Sequence, residues 1–261
     1  MTLIRHELKR GRISFLIWTA AVGAMLAVCI FLFPEMKGQM EGISSVFASM
    51  GSFTAAFGMD RLDFGSLTGY YAVECGNVLG LGGAFFAALC AVSSLSTEEK
   101  ERTAEFLLTH PVSRARVVTG KLAAVLLQVT AMNLIICGIV IGSVAAIEEP
   151  VPWKLIWLLH LAYFLMQVEI ACICFGISAA IRKGSVGIGL GIALLLYFLN
   201  LVANIAEAAK PLKYITPYGY CDAADIVASG TLDGPGIAVG MALAAAGVAA
   251  AYLHYTRKDI R

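Results

Sequence analysis

The sequence predicts an all-α polytopic membrane protein, with six transmembrane helices in one membrane domain over residues 1–261. Three observations carry that prediction: composition, the lengths of the apolar runs, and where the basic residues fall. Of 261 residues, 59% are hydrophobic and 14% charged, and the mean hydropathy is +0.80. Soluble domains hold roughly half apolar and about a quarter charged residues. The excess sits in six blocks, residues 13–33, 72–95, 117–147, 153–181, 184–206 and 235–255. About 20 apolar residues at ~1.5 Å rise cross a hydrocarbon layer of roughly 30 Å. Unbroken runs lack the alternation of a membrane barrel, so each block satisfies its backbone as a helix.

Orientation follows from charge. With the N-terminus inside, fourteen of the nineteen Lys and Arg lie on the inner segments, and only Lys37, Arg61, Lys154, Lys210 and Lys213 lie outside. The positive-inside rule then places both termini in the cytoplasm.

The chain opens on Met1 to Arg12, where Ile4 and Leu8 share a helical face among Arg5, Lys9, Arg10 and Arg12. This reads as an interfacial elbow helix that turns into the first span at Gly11. The first block is longer than the ~7–15 residues of a leader's apolar region, so no cleavage is expected there. Beyond it, Ile43, Val46, Phe47, Met50, Phe53 and Phe57 recur at helical spacing and predict an outer amphipathic helix over residues 41–57. Asp60-Arg61-Leu62-Asp63 follows as a polar turn. The short connections at Glu148-Glu149-Pro150 and Arg182-Lys183-Gly184 predict spans three, four and five as successive antiparallel neighbours. In the last outer segment Pro217 is expected to start a short helix that reaches Ser229 and stops at Gly230.

Polar groups inside spans are few. Glu169, deep in span four, is either a substrate- or ion-facing group in a translocation path or a carboxyl buried against a polar neighbour. Tyr197, Asn200, Asn204 and Glu207 fall at i, i+3, i+7 and i+10, one stripe facing a cavity or a subunit interface. His160 and Gln167 are co-facial, and His160 reads as structural. Gln128 and Asn133 are expected to bond neighbouring helices. The small-residue pairs Gly138/Gly142 and Gly187/Gly191 read as packing seams. Five of seven cysteines lie in spans as small hydrophobes, and Cys75 and Cys221 are near enough to the outer face to pair.

One stretch departs from this apolar background: nine of the 26 residues between 96 and 121 are charged. Ser96-Thr97-Glu98-Glu99 has capping-box spacing, with acidic residues where the helix dipole favours them. Pro111 ends that helix, because it pushes His110 out of helical geometry. Ser113 caps the next helix, which carries Arg114, Arg116 and Lys121 into span three. Phe106-Leu107-Leu108, apolar and rimmed by charge, marks a partner site.

Residues Glu98-Glu99, Thr103, Glu105, Leu107-Leu108 and Pro111-Val112-Ser113-Arg114, followed by Gly120-Lys121, resemble the signature of ABC-2 type transporter permeases. In that family the pattern E-E-x-x-x-G-T-x-E-x-L-L-x-x-P-V-S-R forms a cytoplasmic coupling helix seated in a groove of an ATP-binding subunit. Here Arg102 replaces the usual glycine. The six spans, the basic start, the outer Tyr-x-x-Pro stretch and the terminal Tyr255-x-Arg257-Lys258-Asp259-Ile260 fit as well. The resemblance implies the permease subunit of an ATP-driven exporter in a prokaryotic plasma membrane, working as a dimer with a second copy or a paralogue, by alternating access. Glu98, Glu99, Glu105, Phe106, Leu107, Leu108, Pro111 and Arg114 would be its coupling residues. ATP and Mg would belong to the separate cassette subunit, with no cofactor or metal on this chain. Membrane lipid is a further expected partner, and nucleic acid is not.

Thr119-Gly120-Lys121-Leu122 is no phosphate loop, because Ala115 and Leu122 stand where Gly and Ser or Thr are required. With four His, no H-E-x-x-H and no G-x-S-x-G, the chain is not expected to be an enzyme. The alternative reading is a secondary carrier driven by an ion gradient through Glu169.

Overall fold

Backbone amides removed from water must be satisfied within their own segment, and the apolar runs do so as helices. The computed structural model describes residues 2–40, 50–97, 113–181 and 186–257. Among these residues there are nine α-helices and no strand. They are α1 (Thr2–Met40), α2 (Ser52–Ala56), α3 (Leu67–Glu74), α4 (Gly82–Val92), α5 (Arg114–Ala146), α6 (Trp153–Ala180), α7 (Val186–Ile205), α8 (Ala223–Ser229) and α9 (Gly234–Arg257). Six stretches are long and apolar enough to cross a membrane: α1, the run Leu67–Val92, α5, α6, α7 and α9.

Helix α1 is continuous, and the turn expected at Gly11 is absent. A helical glycine costs only about 1 kcal/mol, and here its bareness is used. A Cβ on Gly11 would lie 2.7 Å from Gln128 Oε1, and one on Gly120 would lie 2.7 Å from Leu3 Cδ2. The first turns therefore pack on span three instead of swinging away as a separate elbow. Arg5, Lys9, Arg10 and Arg12 lie exposed along them. At ~1.5 Å per residue the 39 residues of α1 run to roughly 58 Å, well past a bilayer core, and the helix passes through Pro34.

Span two is not uniform. Ser66 caps α3 by accepting from the Gly69 amide. After Glu74 the backbone widens into a π-helical segment, Cys75–Leu81, and then resumes as α4. The widened turn is fitted to span four: a Cβ on Gly80 would lie 3.2 Å from Tyr163 Cε1, and one on Gly83 would lie 2.0 Å from Gln167 Nε2. Gln167 donates to the Leu79 carbonyl at 3.3 Å and accepts from Asn133 at 2.7 Å. Spans two, three and four thus share one buried amide network, as expected of Asn133. Gln128 likewise accepts from Cys90 across to span two, and His160 bonds the Tyr71 hydroxyl at 2.7 Å.

Span four sits at the centre, against spans two, three and six, while span one packs on span three. The expected neighbour order fails at span five, which packs chiefly on span two. Gly189 is the reason: a Cβ there would meet Val92 Cγ1 at 3.0 Å and the Ala88 carbonyl at 3.2 Å. Among the described residues the glycines predicted as seams do not serve as such. Cβ atoms on Gly138, Gly142 and Gly191 would meet nothing, and Gly187 is exposed. The close crossing is instead Gly176 on Gly247, between spans four and six, which the small residues Gly240, Ala244, Gly247 and Ala251 of α9 make possible.

Of the amphipathic helix expected over 41–57, residues 41–49 lie outside the described residues. The rest is the short α2, with Met50 and Phe53 exposed and Gly58 beyond it at φ 67. The helix expected from Pro217 starts later, at Ala223. Asp222 takes the cap by accepting from the Ala224 and Asp225 amides at 3.0 and 3.2 Å, and it ends at Gly230 as expected, with φ 63. All seven cysteines are free, Cys75 and Cys221 included.

Candidate functional site

Ion pairs sort the connections into two ends, named outer and inner after the distribution of basic residues. At the outer end Arg61 pairs with Asp222 at 3.1 Å and with Asp225, while Lys213 reaches Asp222 at 3.5 Å. Lys37 pairs with Glu149 at 2.7 Å. Burial works against the Arg61 charge, but Asp222 and Asp225 outweigh it and hold the guanidinium above its ordinary range. This network ties the segment after span one to the one before span six, beside a cavity of about 530 Å³.

Glu169 forms part of the cavity floor. It is 1% exposed, and the Tyr220 hydroxyl donates to its Oε2 at 2.8 Å. Burial, then Cys221 and Glu169, push the Tyr220 phenol up, so it stays a donor. A Cβ on Gly240 would lie 2.2 Å from Glu169 Oε2; span six carries glycine where the carboxylate needs room. No cation pairs with Glu169 among the described residues.

The predicted polar stripe is split. Asn204 lines the large cavity and also, with Tyr197 and Asn200, a smaller pocket of about 60 Å³. Tyr197 donates to Asn77 at 3.5 Å and Asn204 to the Ala56 carbonyl at 3.1 Å. The buried Asn200 Oδ1, Asn204 Oδ1 and Tyr218 hydroxyl have no partner among the described residues, and a polar pocket of this kind has room for water to satisfy them. Glu207 is not part of the stripe. Span five stops at Ile205 and Ala206 is extended, so helical spacing no longer applies. Glu207 lies exposed and pairs with Lys210 at 2.7 Å, which lowers its pKa. Sequence spacing also missed Tyr220, Asp233 and Gly240, whose roles arise only when the last outer segment folds back over span four.

At the inner end Ser113 caps span three as expected, accepting from the Arg116 amide at 3.3 Å. Arg114 donates to the Thr256 and Tyr255 carbonyls at the end of span six. Lys121, 1% exposed, donates to Glu7 Oε1 at 3.1 Å and to the Ser94 carbonyl at 2.8 Å. One side chain therefore joins the start of α1, the end of span two and the start of span three. Ser94 and Ser113 bracket the charged stretch. Of the expected coupling residues only Arg114 is described; Glu98, Glu99, Glu105, Phe106, Leu107, Leu108 and Pro111 lie outside the described residues, and of the capping box Ser96 and Thr97 are described while Glu98 and Glu99 are not. Among the described residues no cluster of His, Cys, Asp and Glu has metal-binding geometry.

No curated protein sequence matches the chain significantly. The family model described as ABC-2 family transporter protein matches residues 1–260, nearly the full length and all six spans. This chain therefore belongs to the ABC-2 transporter family of multi-pass membrane transport proteins.

Proposed function

We propose that this chain is the permease subunit of an ATP-driven exporter. The observation that carries the reading is family membership over 1–260, joined to the E-E…L-L-x-x-P-V-S-R pattern between spans two and three. ATP and Mg bind a separate cassette subunit, which grips residues 98–109 from the cytoplasm. Closure of two cassettes moves that segment, and the movement passes to the ends of spans two and three that it connects. Lys121 is suited to carry the movement into α1, since it bonds Glu7 and the Ser94 carbonyl together. Two permease copies, or this chain and a paralogue, then open a path alternately to each side of a prokaryotic plasma membrane. Glu169 and the polar groups of span five belong to that path.

The test is co-purification with candidate cassette ATPases, followed by Glu98→Ala, Glu99→Ala and Phe106→Ala. Loss of the complex, and of ATP-dependent transport in inside-out vesicles, is expected. A stable complex indifferent to all three substitutions overturns the reading. Transport driven by an ion gradient without ATP favours the carrier alternative through Glu169.

A further inference from the structure

The outer cavity has an unbalanced charge inventory. Its cations are engaged: Arg61 and Lys213 by Asp222 and Asp225, Lys210 by Glu207. Glu169, in its floor, has a phenol for company and no cation among the described residues. Asp233 lines the same space, and among the described residues its carboxylate accepts only from the Gly236 amide. The remaining walls are apolar at Ala203, Val239 and Leu243. A volume of about 530 Å³ falls within the ~300–1,000 Å³ of small-molecule pockets. A carboxylate at the base of a partly apolar chamber, 1% exposed and bonded by the Tyr220 phenol with no cation beside it among the described residues, is a counter-charge in need of a partner.

We propose that this cavity binds an amphipathic organic cation, its charged centre against Glu169 and its apolar body along Val239 and Leu243. This rests on the reading of the chain as a permease and names the class of cargo for it. Anionic and neutral molecules of the same shape are disfavoured, because Glu169 and Asp233 line the chamber with no cation paired to either among the described residues.

The experiment uses the full chain in lipid nanodiscs, with empty nanodiscs subtracted for partition. Two probes of similar shape are compared by equilibrium dialysis: tetraphenylphosphonium, and uncharged triphenylphosphine oxide. Saturable binding of the phosphonium is expected. Glu169→Gln keeps the shape and still accepts from Tyr220, and it is expected to weaken the phosphonium about tenfold or more while changing the oxide less than about twofold. Leu243→Trp fills the apolar side of the chamber while leaving the carboxylate in place and is expected to lose both probes. The proposal is overturned if wild type shows no saturable phosphonium binding, if Glu169→Gln binds it as wild type does, if the two probes weaken equally, or if Leu243→Trp retains them. Cassette co-purification with Glu169→Gln is measured alongside: an intact complex with unaltered phosphonium affinity removes this proposal and leaves the permease reading standing.

Discussion

Replacing Gly247 by alanine drives a methyl group into the backbone of span four. The new Cβ would lie 2.6 Å from the Cys172 carbonyl oxygen, 3.0 Å from its carbon and 3.1 Å from Ile173 Cα. Ordinary contact begins near 3.4 Å, so the two spans must part locally by about 0.8 Å. Backbone atoms cannot turn aside as a side chain can. Overpacking of this kind costs about 3 kcal/mol, the upper part of its usual range. Alanine returns about 1 kcal/mol as the better helix former, leaving a net loss of about 2 kcal/mol. Gly142→Ala is the matched control, because its Cβ would meet nothing and only the gain remains. The two variants should differ by about 3 kcal/mol, or about 6–12 °C in melting temperature for a chain of this size. Thermal unfolding of the monomer in detergent, followed by the fluorescence of Trp18, Trp153 and Trp157, reads the difference. Melting of Gly247→Ala within about 2 °C of Gly142→Ala would refute the reasoning that this crossing is set by backbone contact.

Glu7→Gln takes a carboxylate from the ammonium of Lys121, whose side chain is fully buried, and should cost about 3 kcal/mol. Adding Lys121→Met should recover much of that loss in a double-mutant cycle by thermal melting. At the outer end Asp222→Ala should lose about 1 kcal/mol more than Asp222→Asn, since asparagine keeps the cap of α8 while both lose the charge facing Arg61. Denatured under alkylating conditions without reductant, the chain should add seven thiol labels by intact mass; five would show Cys75 and Cys221 joined, against the free thiols seen here.

Much of the architecture was legible in one dimension, for a physical reason. In lipid the alternatives to a helix are eliminated, so run length alone predicts six helices, and six are long and apolar enough to cross a membrane. Local signals also held where a side chain meets its own backbone: Ser113 as a cap and Gly230 as a stop depend on neighbours two to four residues away. They failed where two local signals competed. Gly11 reads as a turn, yet α1 runs through it, because Leu3, Glu7 and Gly11 find partners on span three. Pro217 lost the start of the last short helix to Asp222, whose carboxylate also gathers Arg61 and Lys213.

The candidate site divides along the same line. The sequence by itself determined that Glu169 is an ionisable group in an apolar span and that span five carries a polar face. It also determined that the densely charged stretch between spans two and three is unlike the rest of the chain, since each of these is a statement about one helix or one turn. Only the tertiary structure decided that Tyr220, 51 residues on, completes the Glu169 site, that Gly240 makes room for it, that Glu207 falls off the stripe, and that Gly176 and Gly247 form the crossing. Helical periodicity says which residues share a face. Which face meets which is settled by how closely small residues let the backbones approach, and that is a property of pairs of helices which no single run of sequence contains.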